Sequence, residues 1–183
     1  MIEKIASISA IILIICMLFF NPKVSIIKIL IKQFSVFKNA KTGKISLWDF
    51  ICFIVSPVIL AILLVFILGY DISNTVASVL TTVYAFVFTV LFGFAAVLVG
   101  KIDSKNELEK QVTEETFVSV LTSNILSLIN AIASIVLLNI DDDSECVRNI
   151  ISAIIFSISF ITIMLLLMIT KRTFIIYCDS KKK

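Results

Sequence analysis

The sequence predicts an all-α integral membrane protein: a single membrane domain folded as a bundle of four to five transmembrane helices that assembles into a homo-oligomer. Apolar residues make up 60% of the 183 residues and the mean hydropathy is +1.11, whereas soluble domains are only about 45–50% apolar. Several apolar runs reach about 20 residues, enough for a helix to cross the hydrocarbon core of a bilayer. Most charged residues fall between these runs, where loops are expected.

Lysine is unevenly distributed among the segments that separate the apolar runs. Residues 21–47 hold six lysines and no acidic residue, residues 101–116 hold three lysines, and residues 171–183 hold five Lys or Arg. The other two segments between apolar runs, residues 70–73 and 140–149, contain a single basic residue, Arg148. The positive-inside rule therefore places the lysine-rich segments and the basic tail of residues 171–183 in the cytoplasm. The expected spans are residues 47–69, 74–100, 117–140 and 150–170.

Residues 5–20 form a shorter apolar run near the N-terminus. Glu3 offsets the charge of Lys4, and bulky residues 17–20 stand where a signal peptidase needs small ones, which argues against a signal peptide. We expect a retained helix that crosses the membrane by tilting or by thinning the bilayer. The alternative is a helix that lies on the membrane surface, which would leave four spans instead of five.

Residues 22–38 predict a basic amphipathic helix that lies in the membrane plane. Lys28 and Lys32 fall on its polar face, where they would contact anionic lipid headgroups, and isoleucine and phenylalanine dominate the rest. The alternative is a docking surface for a partner protein.

The run at residues 74–100 carries a seam of small residues at spacings of three and four. Such a seam lets two helix backbones approach closely in lipid. The bulky residues Tyr84, Phe86, Phe88, Phe92 and Phe94 lie mostly off the seam, so we expect them to face lipid or wider gaps. We expect this run to be the central packing helix. The seam consists of Ser78, Thr82, Ala85, Thr89, Gly93, Ala96 and Gly100.

The preceding run has clear boundaries. Ser46 and Asp49 fit a capping box, and Trp48 suits the headgroup boundary. Pro57 should kink the span because its ring removes a backbone donor. Residues 70–73 read as a tight reversal, so the spans on either side should form an antiparallel hairpin.

Residues 101–116 predict a charged cytoplasmic helix that continues into the next span. Ser104 and Glu107 form a second capping box, and Lys105 and Glu109 form an i,i+4 pair. A solvated surface is the simpler interpretation, and the same surface is the most accessible site for a partner.

A polar stripe runs along the span at residues 117–140. Polar side chains at membrane depth must face protein or water, because an unpaired amide in hydrocarbon costs several kcal/mol. Two interpretations stay open: hydrogen bonds between helices, and the wall of a pore in an oligomer. The stripe consists of Ser119, Ser123, Asn124, Ser127, Asn130 and Ser134.

Most site chemistry is excluded by what the sequence lacks. It contains no histidine, the commonest general base and metal ligand, and no charged residue falls deep in a predicted span, as ion-coupled transport requires. Nucleotide-binding and hydrolase motifs are also missing. Residues 141–145 are acidic but lack calcium-loop spacing, so we interpret them as a solvated loop. The sequence therefore predicts no enzyme, no cofactor, no metal and no direct binding of nucleic acid.

Two functions remain open. The first is an interaction protein that self-associates and relays an event at the cell envelope to a cytoplasmic protein partner; three charged cytoplasmic segments against a minimal outer surface favour it. The second is a channel or pore-forming effector lined by the polar stripe.

The layout also resembles a known family. Trp48 and Asp49 open a span that contains Pro57, a tight turn follows at Tyr70 and Asp71, and the cytoplasmic segments are short and lysine-bearing. In these features the chain is similar to the membrane subunit of the Kiwa anti-phage defence system. The resemblance implies a homo-oligomer of the bacterial inner membrane, a tetramer, that senses phage attack and works with a cytoplasmic DNA-binding effector. That family supplies no catalytic residues to transfer.

Overall fold

The protein's structure is a computed structural model that describes residues 26–37, 46–100, 107–140 and 145–180. All regular structure in these ranges is helical. The predicted helix at residues 5–20 lies outside the described residues, as do residues 38–45, 101–106 and 141–144. The five helices are α1 (Ile26–Val36), α2 (Leu47–Ile67), α3 (Asn74–Val99), α4 (Glu107–Leu138) and α5 (Glu145–Ser180).

Four of these helices, α2 to α5, are long and apolar enough to cross a membrane. They overlap the four internal spans that the sequence predicts. Because all regular structure in the described residues is helical, the all-α class is confirmed. The charged segment at residues 107–116 continues into the apolar part of α4 without a break. In α5 the helix extends beyond the predicted span of residues 150–170 in both directions.

The first turn of α2 begins at the predicted cap. Ser46 Oγ accepts a hydrogen bond from the backbone N–H of Asp49 at 3.4 Å, the contact that satisfies one of the free donors at a helix start. Two π-helical turns, Ile51–Val55 and Leu63–Ile67, flank the α-helical stretch that contains Pro57. Such wider turns absorb a break in the regular hydrogen-bond pattern, so the departure from a regular α-helix occurs beside the proline.

The long helices form a row in which each packs on the next in the order α3, α4, α5, α2. The prediction that residues 74–100 form the central packing helix is therefore wrong, because α3 lies at the edge of the row. In the most apolar stretch of α4, 50% of the residues are buried, compared with 22% in α3. The physical reason is the polar stripe of α4, which must be enclosed by protein, whereas the small apolar surface of α3 can face lipid.

The connection between α2 and α3 turns the chain without bringing the two helices together. Gly69 has a φ of +70°, a conformation that L-residues rarely adopt. The two helices run in opposite directions as predicted, but among the described residues α2 packs on α5 instead of on α3. The buried side chain of Ile72 fixes the turn, and its backbone N–H donates to Ser152 Oγ of α5 at 3.1 Å.

The short helix α1 packs on α4. The ring of Phe37 lies 5.4 Å from that of Phe53 in α2, and Lys28 and Lys32 are exposed. The amphipathic helix therefore rests on the bundle with its lysines outward.

Candidate functional site: a polar junction between two apolar clusters

Two apolar clusters hold the bundle together, one toward each end. The end that contains Arg148 is called here the Arg148 end, and the opposite one the Arg172 end. The cluster at the Arg148 end comprises Ile72, Ala77, Leu137 and Ile155. The cluster at the Arg172 end comprises Leu91, Ala95, Leu98, Val120 and Ile169.

Between these clusters, side chains of three helices meet in a polar junction formed by Tyr84, Asn130 and Ser159. Tyr84 Oη donates to Ser159 Oγ at 2.6 Å, and Ser159 Oγ donates to the carbonyl oxygen of Ile155 at 2.6 Å. Asn130 Nδ2 donates to Ser159 Oγ at 3.0 Å and to the same carbonyl at 3.3 Å. The junction thus joins α3, α4 and α5 in the layer between the two clusters.

The junction corrects one prediction about α3. Tyr84 was expected to face lipid or a wide gap, but it is buried because its hydroxyl needs a partner at this depth. Phe94 is partly buried against the cluster at the Arg172 end, while Phe86 and Phe92 are exposed, as expected.

The whole polar stripe of α4 is buried within the chain's own bundle. Its six members are 0 to 5% exposed, so in the described chain the stripe faces protein. Two hydroxyls bond to the preceding turn, Ser119 to the Glu115 carbonyl at 3.0 Å and Ser127 to the Ser123 carbonyl at 2.8 Å. Four other buried atoms of the stripe have no hydrogen-bond partner within the described structure: Ser123 Oγ, Asn124 Oδ1, Asn130 Oδ1 and Ser134 Oγ.

At the Arg148 end, Arg148 connects α5 to the turn before α3. Its Nε lies 3.1 Å from Asp71 Oδ2, and its Nη2 donates to the Ile72 carbonyl at 2.9 Å and to Asn74 Oδ1 at 3.0 Å. The arginine side chain is 9% exposed, whereas that of Asp71 is 49% exposed. The backbone and amide contacts therefore matter as much as the charge, since a half-exposed ion pair contributes little.

At the Arg172 end, α4 and α5 are joined by an ion pair. Arg172 Nη2 lies 3.1 Å from Glu115 Oε2. The side chains of Arg172 and Glu115 are 16% and 32% exposed. Glu115 is therefore more enclosed than Asp71, the acidic partner of Arg148, which is 49% exposed.

The small-residue seam of α3 points away from the bundle. All seven of its members are exposed. Thr82 and Thr89 donate their hydroxyl protons to the Ser78 and Ala85 carbonyls at 3.3 and 3.0 Å, so they satisfy these donors within the helix and present methyl groups outward. The result is a flat, exposed face on the edge helix.

The residues predicted to contact a partner or lipid are spread over two places. Lys28 and Lys32 are exposed on α1, Glu109 is half-buried on α4, and Lys105 lies outside the described residues. An open depression of about 590 Å³ lies on the charged start of α4, lined by Glu107, Lys110, Gln111 and Glu114.

Several of these contacts were missed by the sequence analysis. Tyr84 was interpreted from the seam alone, Ser159 was not singled out, and Arg148 was used only as a topology marker. The missed signal for Tyr84 is that a tyrosine in the middle of an apolar span needs a hydrogen-bond partner. Among the described residues, no group of three or more potential metal ligands occurs.

No protein-family model, curated protein or solved structure matches this chain. The class is defined by the structure itself: over the described residues it is an all-α protein with four candidate membrane-spanning helices, and the polar stripe of α4 is enclosed in the bundle.

Proposed function

We propose that this chain is a non-enzymatic subunit of the bacterial inner membrane that assembles into a homo-oligomer and couples an envelope event to a cytoplasmic protein partner. By the resemblance to the Kiwa membrane subunit, the event is phage infection and the oligomer is a tetramer. The C-terminus lies in the cytoplasm.

The observation that carries this proposal is the outward seam on the edge helix α3. A seam of small residues is the surface by which helices associate in lipid, and here all seven of its residues are exposed in the described structure. Adding a Cβ to Gly93 would meet no described atom within 4 Å, so the groove at this position is open to a second helix.

The charged start of α4 supports the partner half of the proposal. The open depression there is lined by four exposed residues: Glu107, Lys110, Gln111 and Glu114. They lie in the part of α4 that precedes its apolar stretch. This surface lies at the Arg172 end, which the lysine distribution assigns to the cytoplasm.

The test is the mass of the detergent-solubilised full chain, measured by light scattering, for the wild type and for Gly93→Leu. We expect the wild type to be an oligomer and the variant to dissociate at least tenfold more readily, because leucine keeps the backbones apart. Val90→Leu is the control, since Val90 is exposed on the same helix but lies off the seam.

The partner is tested by purifying the wild type and a Glu107→Ala/Lys110→Ala/Glu114→Ala variant from infected and uninfected cells. A soluble protein recovered in constant ratio with the wild type and lost with the variant supports the coupling role.

A monomeric wild type, or a Gly93→Leu variant with unchanged mass, would overturn the seam assignment.

A channel is the second candidate, favoured by the unpartnered polar atoms along the stripe of α4. Such atoms are usually satisfied by water. Replacing Asn124 and Asn130 by Leu should then abolish ion flux in liposomes while assembly persists; unchanged flux would reject the pore.

A further inference from the structure

A half-open apolar cavity of about 220 Å³ lies where α1 rests against α2, α4 and α5. Its lining includes Phe37, Phe53, Leu126 and Leu165. The walls belong to the apolar parts of three candidate spans, so the cavity lies at membrane depth.

One polar side chain of α1, Gln33, lines this apolar cavity. It is 5% exposed, and neither its Nε2 nor its Oε1 has a hydrogen-bond partner in the described structure. A buried amide without partners costs about 1–3 kcal/mol by mutational measures. The amide therefore indicates an occupant with a group that can hydrogen-bond to it.

Water does not fit the cavity as a whole. At about 30 Å³ per molecule, the volume would take several waters, and each needs two to four polar partners. The lining is almost wholly apolar, and apolar cavities of comparable size stay dry and bind apolar groups. The occupant must be mainly hydrocarbon.

A second, more open cleft of about 450 Å³ adjoins the cavity, because Phe37 and Phe53 line both. Its walls combine apolar residues of α5 with the cations Lys171 and Arg172 and with the carboxylate of Asp49. Nη1 of Arg172 has no hydrogen-bond partner in the described part of the chain, although Nη2 pairs with Glu115.

We propose that the cavity and the cleft together bind one phospholipid of the surrounding bilayer. An acyl chain fills the 220 Å³ cavity, the Gln33 amide donates to an ester carbonyl, and the phosphate lies between Lys171 and Arg172. Asp49 suits a headgroup that also carries an ammonium, as phosphatidylethanolamine does. The site goes beyond the function proposed above and shares no residue with the α3 seam.

The experiment is native mass spectrometry of the full chain, reconstituted with phosphatidylethanolamine and phosphatidylglycerol and then transferred to detergent. We expect one phospholipid per chain to be retained by the wild type. Leu126→Trp, which fills the cavity, should lower that occupancy at least tenfold. Ile132→Trp is the matched control, since Ile132 lies on the same helix and is exposed.

Two further variants separate lost binding from lost folding. Gln33→Leu should lower lipid retention several-fold, whereas in a protein without the ligand it would only relieve an unpaired amide. Lys171→Gln changes an exposed side chain and should weaken retention without affecting the fold; it decides the matter if Leu126→Trp does not fold. Phosphatidylethanolamine retained over phosphatidylglycerol supports the role of Asp49.

The proposal is overturned if folded Leu126→Trp retains as much lipid as Ile132→Trp, since the lipid would then be bound at the general protein surface. It is also overturned if the wild type retains none, as expected if residues 5–20 or a second copy of the chain cover the cavity.

Discussion

The hydroxyl oxygen of Tyr84 lies 2.6 Å from Oγ of Ser159, and this bond joins α3 to α5 although both helices pack mainly on α4. It occupies the layer between the two apolar clusters. A hydrogen bond there fixes how far α3 can rotate about its axis, and therefore which of its faces is left outside.

Tyr84→Phe should lower the free energy of unfolding by about 0.5–1.5 kcal/mol, the usual value of one hydrogen bond. Ser159 still donates to the Ile155 carbonyl and accepts from Asn130, so the loss is confined to one contact. Unfolding in mixed micelles by a denaturing detergent measures it. Tyr70→Phe is the control, because Tyr70 is 62% exposed, and an equal loss in both variants would contradict the prediction.

Arg148→Gln should lower the free energy of unfolding by about 1–3 kcal/mol, because it removes donors from the Ile72 carbonyl and from Asn74. Asp71→Asn should cost less than about 1 kcal/mol, since the carboxylate is half-exposed. The same unfolding measurement compares them. If Asp71→Asn proved the more damaging change, the ion pair would be the main contact instead.

Gly69→Ala should lower the free energy of unfolding by about 1–2 kcal/mol, the cost of a left-handed backbone in an L-residue. The cost is conformational, because a Cβ at Gly69 would meet no described atom within 4 Å. Gly69→Asn should be milder, since asparagine tolerates a positive φ better. Equal losses for alanine and asparagine would show that φ is not the cause.

The parts of the fold that depend on neighbouring residues could be predicted from the sequence. The Ser46 cap needs only the residues up to Asp49, and the four long helices follow from length and apolar composition. The six residues of the α4 stripe are all buried, and helical periodicity explains why residues at these spacings lie close together.

Periodicity does not say what a face points toward, and this is why the centre of the bundle was misplaced. The seam residues of α3 do share a face, but that face is exposed. The contacts that decide the matter, Tyr84 with Ser159 and Arg148 with Asp71, join residues more than 70 positions apart. The burial of Gln33 could not be predicted from the sequence either. Lys28 and Lys32 already account for the polar face of α1, and the helical pattern does not show that Gln33 faces the bundle.

The length of α5 has a mechanical consequence. Arg148 and Arg172 are 24 residues apart on one continuous helix, about 36 Å at the usual rise, which is close to the thickness of a bilayer. Arg148 pairs with Asp71 and Arg172 pairs with Glu115. Ser159, which binds Tyr84, lies between the two arginines along the helix. A push or a twist applied to the turn at Asp71 is therefore transmitted along one continuous described helix to Lys171 and Arg172 at the far end.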